Sequence, residues 1–62
     1  MKSRIKQIMA EKKIRYQDLK EFGFSSATIA NAIKDINRCK METIERFAKA
    51  LDCKVSELYE ED

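Results

Sequence analysis

Side chains capable of covalent chemistry are few in this 62-residue chain and poorly placed for it. Histidine is absent, so neither a Ser-His or Cys-His nucleophile pair nor an HExxH zinc site can be assembled. Thirteen residues separate Cys39 from Cys53 and no third or fourth ligand accompanies them, which argues against zinc. Gly23 is the only glycine, too few for a phosphate-cradling loop. Neither catalysis nor a metal or other cofactor is expected. Recognition chemistry remains. Arg15 stands at the predicted start of a helix, an electropositive end that attracts anions, and a guanidinium pairs with phosphate through two hydrogen bonds. In the segment Lys34-Asp-Ile-Asn-Arg-Cys-Lys40, Ile36 is predicted to anchor the loop, leaving Asn37, Arg38 and Lys40 free to point outward. Those two cations flank Cys39 and are expected to lower its thiol pKa.

These groups need a scaffold, and the stretch Arg15 to Ile36 supplies the plan. Leu19 and Phe22, three apart, share one face of a short helix. Gly23 then ends it, because glycine takes positive φ without steric cost. Phe24 is predicted to fold back beneath the corner, and Ser25 or Ser26 to cap a second helix running from Ser26 to Lys34 or Asp35. At about 100° per residue, Ile29, Ile33 and Ile36 fall within roughly 60° of one another, with Ala32 beside them. The opposite face carries Ala27, Asn31 and Lys34, flanked by Thr28 and Ala30. It is slim and nearly free of long charged side chains, a surface suited to fitting against something.

The remaining chain reads as helices around one small core. Ile5, Ile8 and Met9 make an i, i+3, i+4 stripe on a helix from Ser3 to Lys12. Ile14 plugs the junction that follows. A helix from Met41 to Leu51 places Met41, Ile44, Ala48 and Leu51 on one stripe with Phe47 alongside, and Asp52 is expected to take the left-handed conformation at its end. A short fifth helix, Val55 to Tyr59, turns Val55 and Leu58 inward, and Glu60 to Asp62 form a frayed acidic tail. The whole is expected to be one all-α domain, residues 1–62. It holds no apolar run near the ~20 residues of a membrane span, and its first residues lack the apolar core of a signal peptide, so a cytoplasmic location is expected.

Net charge is +2, but it is split. Residues 1–40 hold ten Lys/Arg and four Asp/Glu, a balance of +6; residues 41–62 hold three and seven, a balance of −4. A basic part facing a polyanion and an acidic part facing away would produce this division.

Leu19, Gly23, Ile29 and Ala32-Ile33, in that spacing, followed in register by Met-Glu-Thr-Ile, Phe-Ala-Lys-Ala-Leu and Val-Ser-Glu-Leu, resemble the lambda-repressor/Cro-like, XRE-type helix-turn-helix domains over roughly the whole chain. The resemblance implies a compact five-helix fold in which the helix at 26–35 enters the major groove of double-stranded DNA. By that likeness Ser25, Ser26, Ala27, Thr28 and Asn31 are base-reading positions, with Lys34 reaching a guanine or a phosphate. Asn31 leads, because an amide can bond adenine N6 and N7 together. Arg15, Tyr16, Arg38 and Lys40 would contact phosphates. Two residues depart from the family's habit: Arg15 stands where a Thr or Ser cap is common, and Leu19 where a small Ala is common. The implied function is a small repressor binding as a homodimer, formed in solution or only on DNA, with Val55, Leu58 and Tyr59 as its contacts. An antitoxin of the same fold, with a toxin partner, and a protein-interaction module that has lost DNA binding are the alternatives.

Overall fold

The computed structural model describes residues 2–60. Its order is strand β1 (Lys2–Ser3), helices α1 (Ile5–Lys12), α2 (Tyr16–Phe22) and α3 (Ser26–Lys34), a 3-10 turn (Ile36–Arg38), helix α4 (Met41–Ala50), a second 3-10 turn (Val55–Glu57) and strand β2 (Tyr59–Glu60). The chain belongs mainly to its four α-helices, which bury the stripes read from the sequence. Ile5, Leu19, Ile29, Ile36, Phe47, Leu51 and Leu58 are the largest fully buried side chains. Each such side chain contributes about 1.5–3 kcal/mol when withdrawn from water. Ile14 and Ile33 pack partly buried against this centre.

Three departures from the sequence reading share a cause: an element's end is decided by what packs there. The predicted fifth helix is only the turn Val55–Glu57, in which the Glu57 carboxylate accepts the Lys54 N–H at 3.2 Å. It stops because the Leu58 carbonyl accepts the Arg4 N–H at 2.8 Å and the following residues pair with the chain's beginning. In that antiparallel ribbon Lys2 faces Glu60 and Ser3 faces Tyr59, so the helical class holds, with four α-helices instead of five and one small two-stranded sheet. Glu60 is therefore part of a strand and not of a frayed tail; Glu61 and Asp62 lie outside the described residues. Arg4 joins the same corner: its buried Nε is 3.6 Å from Glu60 Oε1, and its Nη1 donates to the Glu57 carbonyl at 3.5 Å. Ser3 precedes α1 as a strand residue, but its hydroxyl still accepts the Ile5 N–H at 3.3 Å.

Met41 was expected in the core and is instead 60% exposed. It is the first residue of α4, and helical side chains lean toward the N-terminus, so it projects past the last core layer. Phe22 is likewise half exposed. Phe24 fills the core beneath the corner, and its ring stacks on Phe47 at 4.0 Å and on Phe22 at 5.8 Å. Asp52 does take the left-handed conformation, at φ 52°. Lys12 holds that end: its ammonium donates to the carbonyls of Leu51 at 2.7 Å and Asp52 at 2.6 Å, a helix C-terminal cap supplied from 39 residues away.

Gly23 has φ +119°, and a Cβ built there would lie 3.0 Å from Arg46 Nη2. Gly23→Ala is expected to destabilise the fold by about 1–3 kcal/mol, mostly as backbone strain. Urea denaturation checks this, and removing the Arg46 side chain as well should recover little, because the dihedral remains.

Candidate nucleic-acid interface

The corner is held by backbone bonds. The Gly23 N–H donates to the Lys20 carbonyl at 3.0 Å and the Phe24 N–H to the Leu19 carbonyl at 3.2 Å, the Schellman arrangement. One residue further, the backbone is extended at Ser25, whose Oγ accepts the Thr28 N–H at 3.2 Å. Helix α3 starts there, with Ser25 as its cap. The two hydroxyls, Ser25 Oγ and Thr28 Oγ1, also meet at 2.8 Å. Their hydrogen-bonding capacity is thus partly used inside the protein, which reduces what either offers a base.

Beyond the cap, α3 turns one side to the core and the other to solvent. Ile29 and Ala32 are fully buried and Ile33 is half-buried. Ser26, Ala27, Ala30, Asn31 and Lys34 are exposed. The division matches the helical wheel: three branched or methyl groups hold the rod while the amide and the small residues face out.

The chain then bends at Asp35. Its backbone is extended, its Oδ1 accepts the Asn37 N–H at 3.0 Å and its Oδ2 lies 3.9 Å from Arg38 Nε. The Asp-x-Asn pattern signals such a turn in the sequence, and the reading above missed it. Ile36 is fully buried and pins the turn beneath α3. The result is a cleft of about 300 Å³ lined by Thr28, Asn31, Arg38, Cys39, Lys40 and Thr43. Four expected site residues come together in it: Thr28 and Asn31 from α3, Arg38 and Lys40 from the loop. Thr43, on the first turn of α4, was not anticipated. Its approach depends on how α4 is placed, which periodicity does not encode.

Arg15 caps α2 from outside the cleft: its extended backbone offers an N–H to the Asp18 carboxylate at 2.9 Å. Tyr16 follows, 52% exposed. At the other end of the chain Leu58 is fully buried in its own core and presents no surface, so of the three expected dimer contacts only the half-buried Val55 and Tyr59 have surface to offer.

Cys39 behaves opposite to expectation. Partial burial pushes its thiol pKa up, and the Asp35 carboxylate pushes it further in the same direction. Arg38 and Lys40, although adjacent in sequence, do not reverse this. Burial likewise raises the Cys53 thiol; Lys12 opposes the shift, while Glu57 and Asp52 add to it. Among the described residues no group of three His, Cys, Asp or Glu side chains is placed to hold a metal.

Two helices joined by a glycine corner, the second buried on one side and bare on the other beside a cationic turn, define a helix-turn-helix module. The model of the Cro/C1-type HTH DNA-binding domain matches residues 4–61, and the chain belongs to that family. Searches of curated proteins and of solved structures found no match. No helix among the described residues is long and apolar enough to cross a membrane.

The Cys39 thiol should remain protonated to higher pH than an unhindered cysteine. Its alkylation rate is expected to rise at correspondingly higher pH, followed by mass spectrometry across a pH series. Asp35→Asn should move that rise downward without returning it to the free-cysteine position, since burial is the larger cause.

Proposed function

We propose that the protein is a sequence-specific double-stranded DNA-binding transcriptional regulator, acting as a small repressor that reads the major groove with α3. The observation that supports this most is the bare face of α3 meeting Arg38 and Lys40 in one cleft. An amide able to make a bidentate pair with adenine thus stands beside two groups able to neutralise phosphate. Ser26 adds an adaptable hydroxyl, and the methyl groups of Ala27 and Thr28 suit contact with a thymine methyl. Lys34 extends the same face toward a guanine or the backbone. Ser25, tied to Thr28, acts chiefly as the cap that aims the helix. Arg15 and Tyr16 supply backbone contacts from the start of α2.

One such module covers little DNA, so tight binding calls for two copies on half-sites about 34–36 Å apart. Val55 and Tyr59 are the contacts proposed for that homodimer, which need assemble only on DNA. A second reading, an antitoxin that also represses its own operon, draws on the half-exposed Phe22 and the exposed Tyr16 and Met41 as apolar surface for a protein partner.

Selection of bound duplexes from a random pool tests the proposal, with an enriched site expected and its absence overturning the reading. On that site, Arg38→Ala should weaken all sequences alike and lower the salt dependence of binding by about one counterion. Asn31→Ala should cost about 1–3 kcal/mol at one base position and little elsewhere, measured by competition gel shift.

A further inference from the structure

We propose that Asp35 acts as an internal counter-ion for Arg38: its carboxylate competes with DNA phosphate for that guanidinium and so holds down sequence-independent affinity. The inference rests on the DNA-binding reading above and deepens it, since it concerns how strongly one contact of that reading can act. Asp35 is the C-terminal cap of α3. Its Oδ1 accepts the Asn37 N–H at 3.0 Å, while its Oδ2 lies 3.9 Å from Arg38 Nε. The first bond builds the turn, and the uncharged amide of an asparagine makes such a turn equally well. The charge is therefore not needed for the bend, and its place is a poor one for a carboxylate. The C-terminus of a helix carries partial negative charge and favours cations. In residues 1–40, moreover, acidic groups are outnumbered ten to four. A charge that local structure disfavours, standing at the joint between the reading helix and the cationic loop, points to a role toward the ligand.

Asp35 does not line the cleft, yet its charge is felt inside it. The carboxylate adds to burial in raising the Cys39 thiol pKa, and Cys39 is one of the lining residues. Arg38 lines the cleft as well, so the pair it forms with Asp35 stands at the edge where a phosphate arrives. The two side chains are 60% and 39% exposed, which makes the pair weak enough for a phosphate to displace the carboxylate. Each phosphate contact of Arg38 must first break that pair. Every duplex presents the same phosphates, so the deduction falls alike on matched and mismatched sequences. Lys40, the other loop cation of the cleft, is paired with no carboxylate among the described residues. Asp35 thus tempers one of the two loop cations and leaves the other at full strength.

The test uses the full chain, the duplex enriched by selection and a mismatched duplex, with gel shifts at several salt concentrations. Asp35→Asn keeps the turn and removes the charge. It should tighten binding to both duplexes about two- to fivefold at moderate salt, the size of an exposed ion pair. The salt dependence should steepen by up to about one counterion. Asp35→Ser, equally neutral and able to accept the same N–H, should behave alike. The gain should survive in a Lys40→Ala background and fall away in an Arg38→Ala background. Asp35→Asn binding no tighter than the wild type overturns the proposal while leaving the DNA-binding reading intact. So does a gain of equal size in the Arg38→Ala background, which marks plain repulsion between Asp35 and DNA instead of competition for Arg38. Absence of any duplex enriched by the wild type overturns both.

Discussion

Phe24 lying flat against Phe47 at 4.0 Å is the contact on which the arrangement turns. Phe24 follows the glycine corner by one residue, and Phe47 is the fully buried centre of α4. Their stacking ties the turn between α2 and α3 to the helix behind it, so the direction in which α3 leaves the corner is set by packing as well as by backbone bonds. Arg46, from the same helix, lies over the Phe24 ring at 4.9 Å. An aromatic pair is worth about 0.5–1.5 kcal/mol beyond its buried area. In a chain of this size, whose net stability is a few kcal/mol, that is a sizeable share.

Seen from this contact, the interface is a consequence of what the core leaves over. Ile29, Ala32 and Ile36 are consumed by packing, and the residues between them must face out. The outward set is small, so a groove wall can approach the helix closely. Arg38 and Lys40 come from the loop that Asp35 and Ile36 shape, while α3 itself contributes Lys34. The Asn31 amide and the loop cations thereby stand on different elements joined by one bend. The terminal ribbon has a supporting role: β1 and β2 close the chain on itself, and β1 lies close to α3.

The elements were legible wherever a periodic stripe or a special backbone residue marked them. The wheel of Ile29, Ile33 and Ile36, the single glycine at a φ of +119°, and Asp52 at φ 52° are cases in which the residue type has few other uses. Met41 was misread because it lies at a helix end, where the period continues but the core does not. The ribbon of Lys2–Ser3 with Tyr59–Glu60 left no mark, since two-residue strands carry no alternation. The bonds of Lys12 to Leu51 and Asp52 join residues that no local pattern connects. For the site, Asn31, Arg38 and Lys40 were visible as residue types, but their meeting in one cleft was not, and neither was Thr43.

By itself the sequence determined that this chain builds short amphipathic helices with a corner at Gly23, that one of them has a lean outer face, and that catalysis lacks its usual groups. Those conclusions follow from local physics: steric freedom at one residue, the turn angle of a helix, and side-chain chemistry. Only the tertiary structure decided which hydroxyls, cations and amide share a cleft, that Leu58 is sealed inside, and that burial and Asp35 raise the Cys39 thiol pKa where its cationic neighbours alone would lower it. Each depends on distances between segments far apart in the chain, and on burial, which a residue's neighbours in sequence do not set.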